Sequence, residues 1–265
     1  MRLRISYTGL ALVFVSASGL LPQAEWTLAA PAPAYPRSNG SGSDRAVDQA
    51  LAPSTRRPTG DLAISSRHSP AVGHSKAPLS FLSPTERDIV AETNKVRRDP
   101  AGYAAELEGW RGRFKGNRIE LPASDIRIRS QEGLAALEDA IHALRRSRPA
   151  PPLAVSKGMT LAARAHLRDM AGSGKFRHRG TDGSDVVERL RRYGTPKKTA
   201  GENLMAGVGD GREVVAALLI DDGVPSRGHR SNILDREFRA TGVACGPHPR
   251  FRVMCVIAYA GGFVE

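Results

Sequence analysis

The composition changes abruptly near residue 79, and that break limits what this chain can fold. Residues 31–78 are rich in Pro, Ser, Gly, Ala and Arg and carry few large apolar side chains. Such a segment buries too little surface to offset its chain entropy, and it reads as a disordered tether. Ahead of it, "MRLRISYTGLALVFVSASGLLPQAEWTLAAPAPA" opens with two arginines, runs through an apolar stretch from Leu10 to about Leu21, and then turns to small residues. That is the order of a secretory signal, and its apolar run is shorter than the ~20 residues a spanning helix needs. The reading is therefore a signal peptide over residues 1–30, a linker over 31–78, and one domain over 79–265 that is large enough to bury a core. The expected destination is secreted or periplasmic.

Within the domain, "LSPTERDIVAETNKVRRDP" supplies Ser83, Pro84 and Glu86, the cap, first-turn proline and returning glutamate of a capping box. Ile89, Val90, Thr93 and Val96 then recur at helical spacing, and Asp99-Pro100 ends that helix and starts another. "GLAALEDAIHALRRS" repeats the pattern, with Leu134, Leu137, Ile141 and Leu144 expected on one buried face. "GMTLAARAHLRDMAGSG" is a further amphipathic helix closed by glycines. "VVERLRRYG" and "REVVAALLIDDG" read as helices, and "AGENLMAG" as a short extended piece. At the end, "TGVAC" and "RVMCVIAYA" flank the turn-rich "GPHPR", a hairpin centred near Arg250. Helices dominate early and strands late, an α+β layout.

That hairpin sets Cys245 opposite Cys255, and these are the chain's two cysteines. In an oxidising compartment they are expected to form a disulfide, worth about 3 kcal/mol in the chain-entropy model. Companion ligands at zinc-like spacing are missing. The formal charge of +12 favours acidic partners. For an exported protein these are anionic lipid or cell-envelope polymers rather than a specific nucleic acid. A solvated basic surface with no dedicated partner explains the charge equally well.

Five residues or pairs invite chemistry. His166 shares a helix face with Ala162 and Met170 and reads as a buried structural histidine. His178 leaves a helix end in "FRHRGTDGSD", Glu202 sits among small and apolar residues in "AGENLMAG", and Asp221 and Asp222 close an apolar helix. Acids there oppose the helix dipole, so another group must hold them or solvent must. His229 lies in "SRGHRSNIL". Two histidines with one or two carboxylates suit a divalent metal or an acid/base pair, but the spacing alone selects neither. No zincin, nucleophile-elbow, phosphate-loop or dinucleotide motif occurs.

The order of "ETNKVRRDP", "LAARAHLRDMAGSGKFRHRGTDGSDVVERLRRYG", "AGENLMAG", "RGHRSNIL" and "TGVACG…VMCVIAYAGGF" resembles the CAP superfamily. This is the group of cysteine-rich secretory proteins, antigen 5 and pathogenesis-related 1 proteins, also called SCP domains. The resemblance, in a bacterial-type form, implies a three-layer α-β-α sandwich with a central antiparallel sheet and a cleft. It also implies a cleft tetrad that falls on His178, Glu202, Asp221 and His229. The family pattern has a tryptophan and a glutamate on the helix before the second histidine. Here those positions hold Leu218 and Asp221; the alternatives are that Asp222 substitutes for the acid or that the fourth position is vacant. The same resemblance implies that His178 and His229 can hold zinc or another divalent cation, and that Glu202 and His229 would carry any catalysis. The expected function is binding of a lipid, an envelope glycan or a protein partner. The alternatives are a divalent-metal-assisted peptide or ester hydrolase and a charge-driven envelope or antimicrobial protein.

Overall fold

The computed structural model describes Arg4–Ser6 and residues 79–265. Apart from that tripeptide, the expected signal peptide and linker lie outside the described residues. Among the described residues, no helix is long and apolar enough to cross a membrane.

Helix α1 (Pro84–Arg98) begins with the capping box read from the sequence: Ser83 accepts from the Glu86 amide, and Glu86 accepts from the Ser83 amide. Glu86 does more than cap, because its second carboxylate oxygen accepts from the Cys245 amide at 3.0 Å. The helix start is thereby tied to the terminal hairpin. Asp99 ends α1 and caps α2 (Pro100–Glu108). Three short antiparallel strands follow, β2 (Phe114–Lys115), β3 (Arg118–Leu121) and β4 (Ile126–Arg129). Next come α3 (Leu134–Arg146), β5 (Ala154–Val155), α4 (Lys157–Ser173) and α5 (Val186–Arg191). Leu134 is 43% exposed, because α3 starts on it and its first turn overhangs the core.

A five-stranded sheet forms the centre, in the order β1 (Arg4–Ser6), β7 (Thr199–Ala206), β9 (Arg252–Ala260), β8 (Ala240–His248), β5. Its three middle strands are antiparallel as expected, whereas β1 and β5 run parallel to their neighbours. Helices α6 (Gly211–Ile220) and α7 (Gly228–Leu234) link β7 to β8, and β6 (Thr195–Pro196) pairs with β10 (Phe263–Val264). The segment "RGHRSNIL" is thus helical.

Strand β9 shows the layering residue by residue. Cys255, Ile257 and Tyr259 join the core shared with α1, α2, α3 and α6, while Met254, Val256, Ala258 and Ala260 join the cores on the side of α4 and α5. Alternate side chains of a strand point to opposite faces, so helices cover both sides. This is the three-layer α-β-α sandwich. Helix α4 lies very close to the sheet: a Cβ on Gly242 of β8 would stand 2.2 Å from the Met159 carbonyl carbon. Cys245 and Cys255 face each other across β8 and β9 and are disulfide-bonded, with Cα atoms 4.1 Å apart.

Candidate functional site: two histidine–carboxylate pairs

Strand β7 carries Glu202 and Asn203 side by side, and both are buried. Glu202 points toward α4 and α5. His178, on the loop after α4, donates from Nδ1 to Glu202 Oε1 at 3.0 Å, and Arg189 of α5 donates to Oε2 at 2.6 Å. His166 of α4 stands 3.8 Å from Glu202 Oε1 and bonds the Arg177 carbonyl through Nε2 at 3.0 Å. Burial alone would push the Glu202 carboxyl upward. The His178 hydrogen bond and the Arg189 charge outweigh it and hold the group at about 2, so it is ionised at any physiological pH. Burial holds the His166 imidazole below its ordinary value, which favours the neutral ring.

Arg189 also fixes the loop that carries His178. Its guanidinium donates to the carbonyls of His178 and Ser184 at 2.9 and 2.8 Å. Asp169 accepts from the Thr181 amide, and Asp182 accepts from the Ser184 amide and hydroxyl. Residues 174–185 are therefore a polar loop pinned at several points. His178 is the least buried member, with 13% of its side chain exposed against 4% for Glu202.

The second pair lies beyond Asn203, whose amide reaches the His229 carbonyl. Asp221 ends α6 in the left-handed region (φ 55°) and turns its carboxylate to the start of α7. There it accepts from the His229 amide at 2.9 Å and from the His229 ring Nδ1 at 2.6 Å. The unfavourable placement of an acid at a helix C-terminus is thus resolved by the N-terminus of the next helix, where backbone N–H groups face a negative charge. Asp222 does not substitute for Asp221. It accepts instead from the Ser130 hydroxyl and from the Gln131 and Glu132 amides ahead of α3. Because a carboxylate oxygen accepts here, Nδ1 of His229 carries a proton and Nε2 lies outside the pair. That Nε2 is fully buried and has no hydrogen-bond partner among the described residues.

The two pairs communicate through amides. Asn203 donates to the His229 carbonyl at 3.0 Å and to the Tyr259 hydroxyl at 3.3 Å. Asn232 donates to the Asn203 side-chain oxygen at 2.8 Å and to the Glu202 carbonyl at 3.3 Å.

All four residues picked from the sequence are thus engaged, as the pairs His178–Glu202 and His229–Asp221. Among the described residues, no group of three or more His, Cys, Asp or Glu side chains is arranged to hold a metal ion. His178 and His229 each give Nδ1 to a carboxylate, which leaves Nε2 of each ring as the nitrogen that could ligate a cation. Two partners were missed in the sequence. His166 read as a core histidine yet stands beside Glu202, and Arg189 reads as a surface residue of a basic helix. The nearest signal for Arg189 was its spacing of three from Val186, which is buried on the same helix.

The model of the cysteine-rich secretory protein family (CAP) matches residues 138–259, which include both pairs and both cysteines. The Bacillus subtilis protein YkwD is 34% identical over 92 residues, 35% of this chain; the chain spans only about a third (34%) of that relative's length. Among solved structures, an extracellular protein containing a SCP domain from Bacillus anthracis str. Ames is 24% identical. That likeness covers 48% of this chain and 37% of the other, with a TM-score of 0.36. An outer surface protein of Borrelia burgdorferi is 15% identical over 55% of this chain and 98% of its own, also with a TM-score of 0.36. Over that matched segment, which is just under half of its length, the chain is similar to the CAP family.

Proposed function

We propose that this chain is an exported CAP-domain binding module, which engages a lipid, an envelope glycan or a protein partner through the loop of residues 174–185. The observation that carries this reading is the saturation of Glu202. Both of its oxygens are held by buried cationic or hydrogen-bonding partners, and the group stays ionised down to about 2. A general acid or base works best with a pKa near the working pH, so Glu202 suits holding a loop in shape rather than shuttling protons. His229 is oriented like a base, but its ring is fully buried, which speaks against the hydrolase alternative. The accessible chemistry belongs to the pinned loop, where His178 is partly exposed and Lys175, Arg179 and Thr181 are open to solvent.

The test is co-sedimentation of the full chain with isolated bacterial cell walls and with lipid vesicles, beside a panel of peptide and ester substrates. Wild type is expected to be retained, with Arg179→Ser and His178→Ala weakening retention at a thermal midpoint that is unchanged for the first. Turnover abolished by Glu202→Ala and by His229→Ala would overturn the binding-module reading, as would retention indifferent to both loop variants.

A further inference from the structure

We propose that the outer face of the small sheet β2–β3–β4 is a docking surface for an anionic lipid bilayer. It lies outside the segment matched by the family model and is separate from the loop of residues 174–185. Cross-strand register pairs Lys115 with Arg118, and Arg118 with Arg129. Directly opposed residues project from the same face, and neighbouring strands lie about 4.8 Å apart. Three cations therefore form a row across the whole width of the sheet. All three are exposed, and none has a carboxylate partner among the described residues. In the next row Arg127 faces Glu120 at 3.9 Å, so one cation there is compensated.

The other face of the same sheet carries Ile119, Leu121 and Ile128, which are buried in the main core. The basic face is thus held rigidly by its apolar back. Like charges placed directly opposite weaken a sheet, so the row costs stability and nothing in the packing requires it. A surface that bears such a cost without a partner in the fold is matched by an external anion array. The face is an open sheet rather than a groove, and its outward side chains (Lys115, Arg118, Glu120, Arg127 and Arg129) include no aromatic ring. Single-stranded nucleic acid is gripped by stacking on aromatic side chains, which are missing here. Coplanar cations on an open face fit the dense negative plane of lipid phosphates.

The experiment compares the full chain with Lys115→Ser/Arg118→Ser/Arg129→Ser on vesicles of phosphatidylglycerol mixed with phosphatidylcholine. Each basic residue near an anionic surface adds close to a factor of five in affinity, so the triple variant should bind roughly 100-fold more weakly. Its thermal midpoint should be equal or higher, because the like-charge row has been removed. A second variant, Arg148→Ser/Arg191→Ser/Arg236→Ser, removes the same charge from exposed positions elsewhere and should keep wild-type binding. Equal losses in both variants would reduce the effect to net charge and overturn the proposal. So would undiminished vesicle binding by the first variant, or tighter binding of single-stranded DNA than of vesicles by the wild type.

Discussion

Replacing Arg97 by Met should destabilise the domain by about 4 kcal/mol. Arg97 is fully buried in α1, and no carboxylate oxygen accepts a hydrogen bond from it among the described residues. Its guanidinium donates instead to four backbone carbonyls, those of Pro151, Ile233, Asp235 and Phe238, at 2.7 to 3.0 Å. Burial lowers its affinity for the proton, and the nearby Asp235 charge offsets only part of that. Methionine fills a similar volume and removes the cost of burying the charge, but it donates nothing. Two of the four bonds, to Ile233 and Phe238, are fully buried; Arg239 also donates to the Phe238 carbonyl at 2.9 Å, so the Ile233 carbonyl is the one left unmet. An unmet buried carbonyl costs roughly 1–3 kcal/mol and each of the three other lost bonds roughly 0.5–1.5, which together give about 4. The same bonds hold the end of α7 against α1, so the loss should also loosen the seat of His229. Urea unfolding followed by tryptophan fluorescence measures the effect. At a slope of about 2 kcal/mol per M, the midpoint should fall by roughly 2 M with the slope unchanged. Arg97→Lys, with its charge kept but its fork lost, should fall in between. A shift below about 0.5 M for Arg97→Met would show that relief of the buried charge outweighs the four bonds, and the reasoning would be wrong.

Acid stability should decline in two stages. His166 is held below its ordinary 6.5, so below that pH the unfolded chain takes up a proton that the fold resists, and stability begins to fall. Glu202 is held from 4.5 to about 2, so its contribution is complete above about 4.5 and is lost as pH falls toward 2. At ~1.4 kcal/mol per pH unit this is about 3 kcal/mol. Thermal midpoints across this range should therefore drop most steeply below 4.5, and Glu202→Gln should flatten that limb; parallel profiles would contradict the assignment. Gly242→Ala should cost about 3 kcal/mol, because its Cβ would meet backbone atoms of Met159 and Thr160 at 2.2 and 2.3 Å that cannot step aside. Gly209→Ala, whose Cβ would meet only Val253 at 3.7 Å, should stay within about 1 kcal/mol. Chemical denaturation of both variants checks the contrast.

Local signals were legible in the sequence where local physics decides the outcome. The Ser83–Glu86 capping box, the disulfide-bearing hairpin and the helix over "GMTLAARAHLRDM" all appear as read. Each depends on residues a few positions apart. The small sheet went unread: Ile126, Arg127, Ile128 and Arg129 alternate, but strands of two to four residues give a weak periodic signal. What the sequence did not carry was the side of the sheet. His178, Glu202, Asp221 and His229 stand in chain order, but only the pleat of β7 decides that Glu202 turns to Arg189 while Asn203 turns to the His229 carbonyl. Arg97 and Arg189 were hidden for a similar reason: their partners lie 54 to 141 and 5 to 13 positions away, and an isolated arginine in a basic chain reads as surface.

The adjacency of Glu202 and Asn203 on β7 has a consequence for how the sheet finds its alignment. With Glu202 opposite Ala258 and Asn203 opposite Ile257, the carboxylate meets Arg189 and the amide meets the His229 carbonyl. A slip of one residue would exchange the two faces. The carboxylate would then confront a carbonyl oxygen, and Arg189 would be left buried without its counterion, a loss of about 3–5 kcal/mol. Apolar neighbours such as Leu204 and Met205 are near equals in size and would tolerate that exchange. The polar pair would not, so two neighbouring side chains proofread the alignment of a strand whose oily residues could be read in either phase.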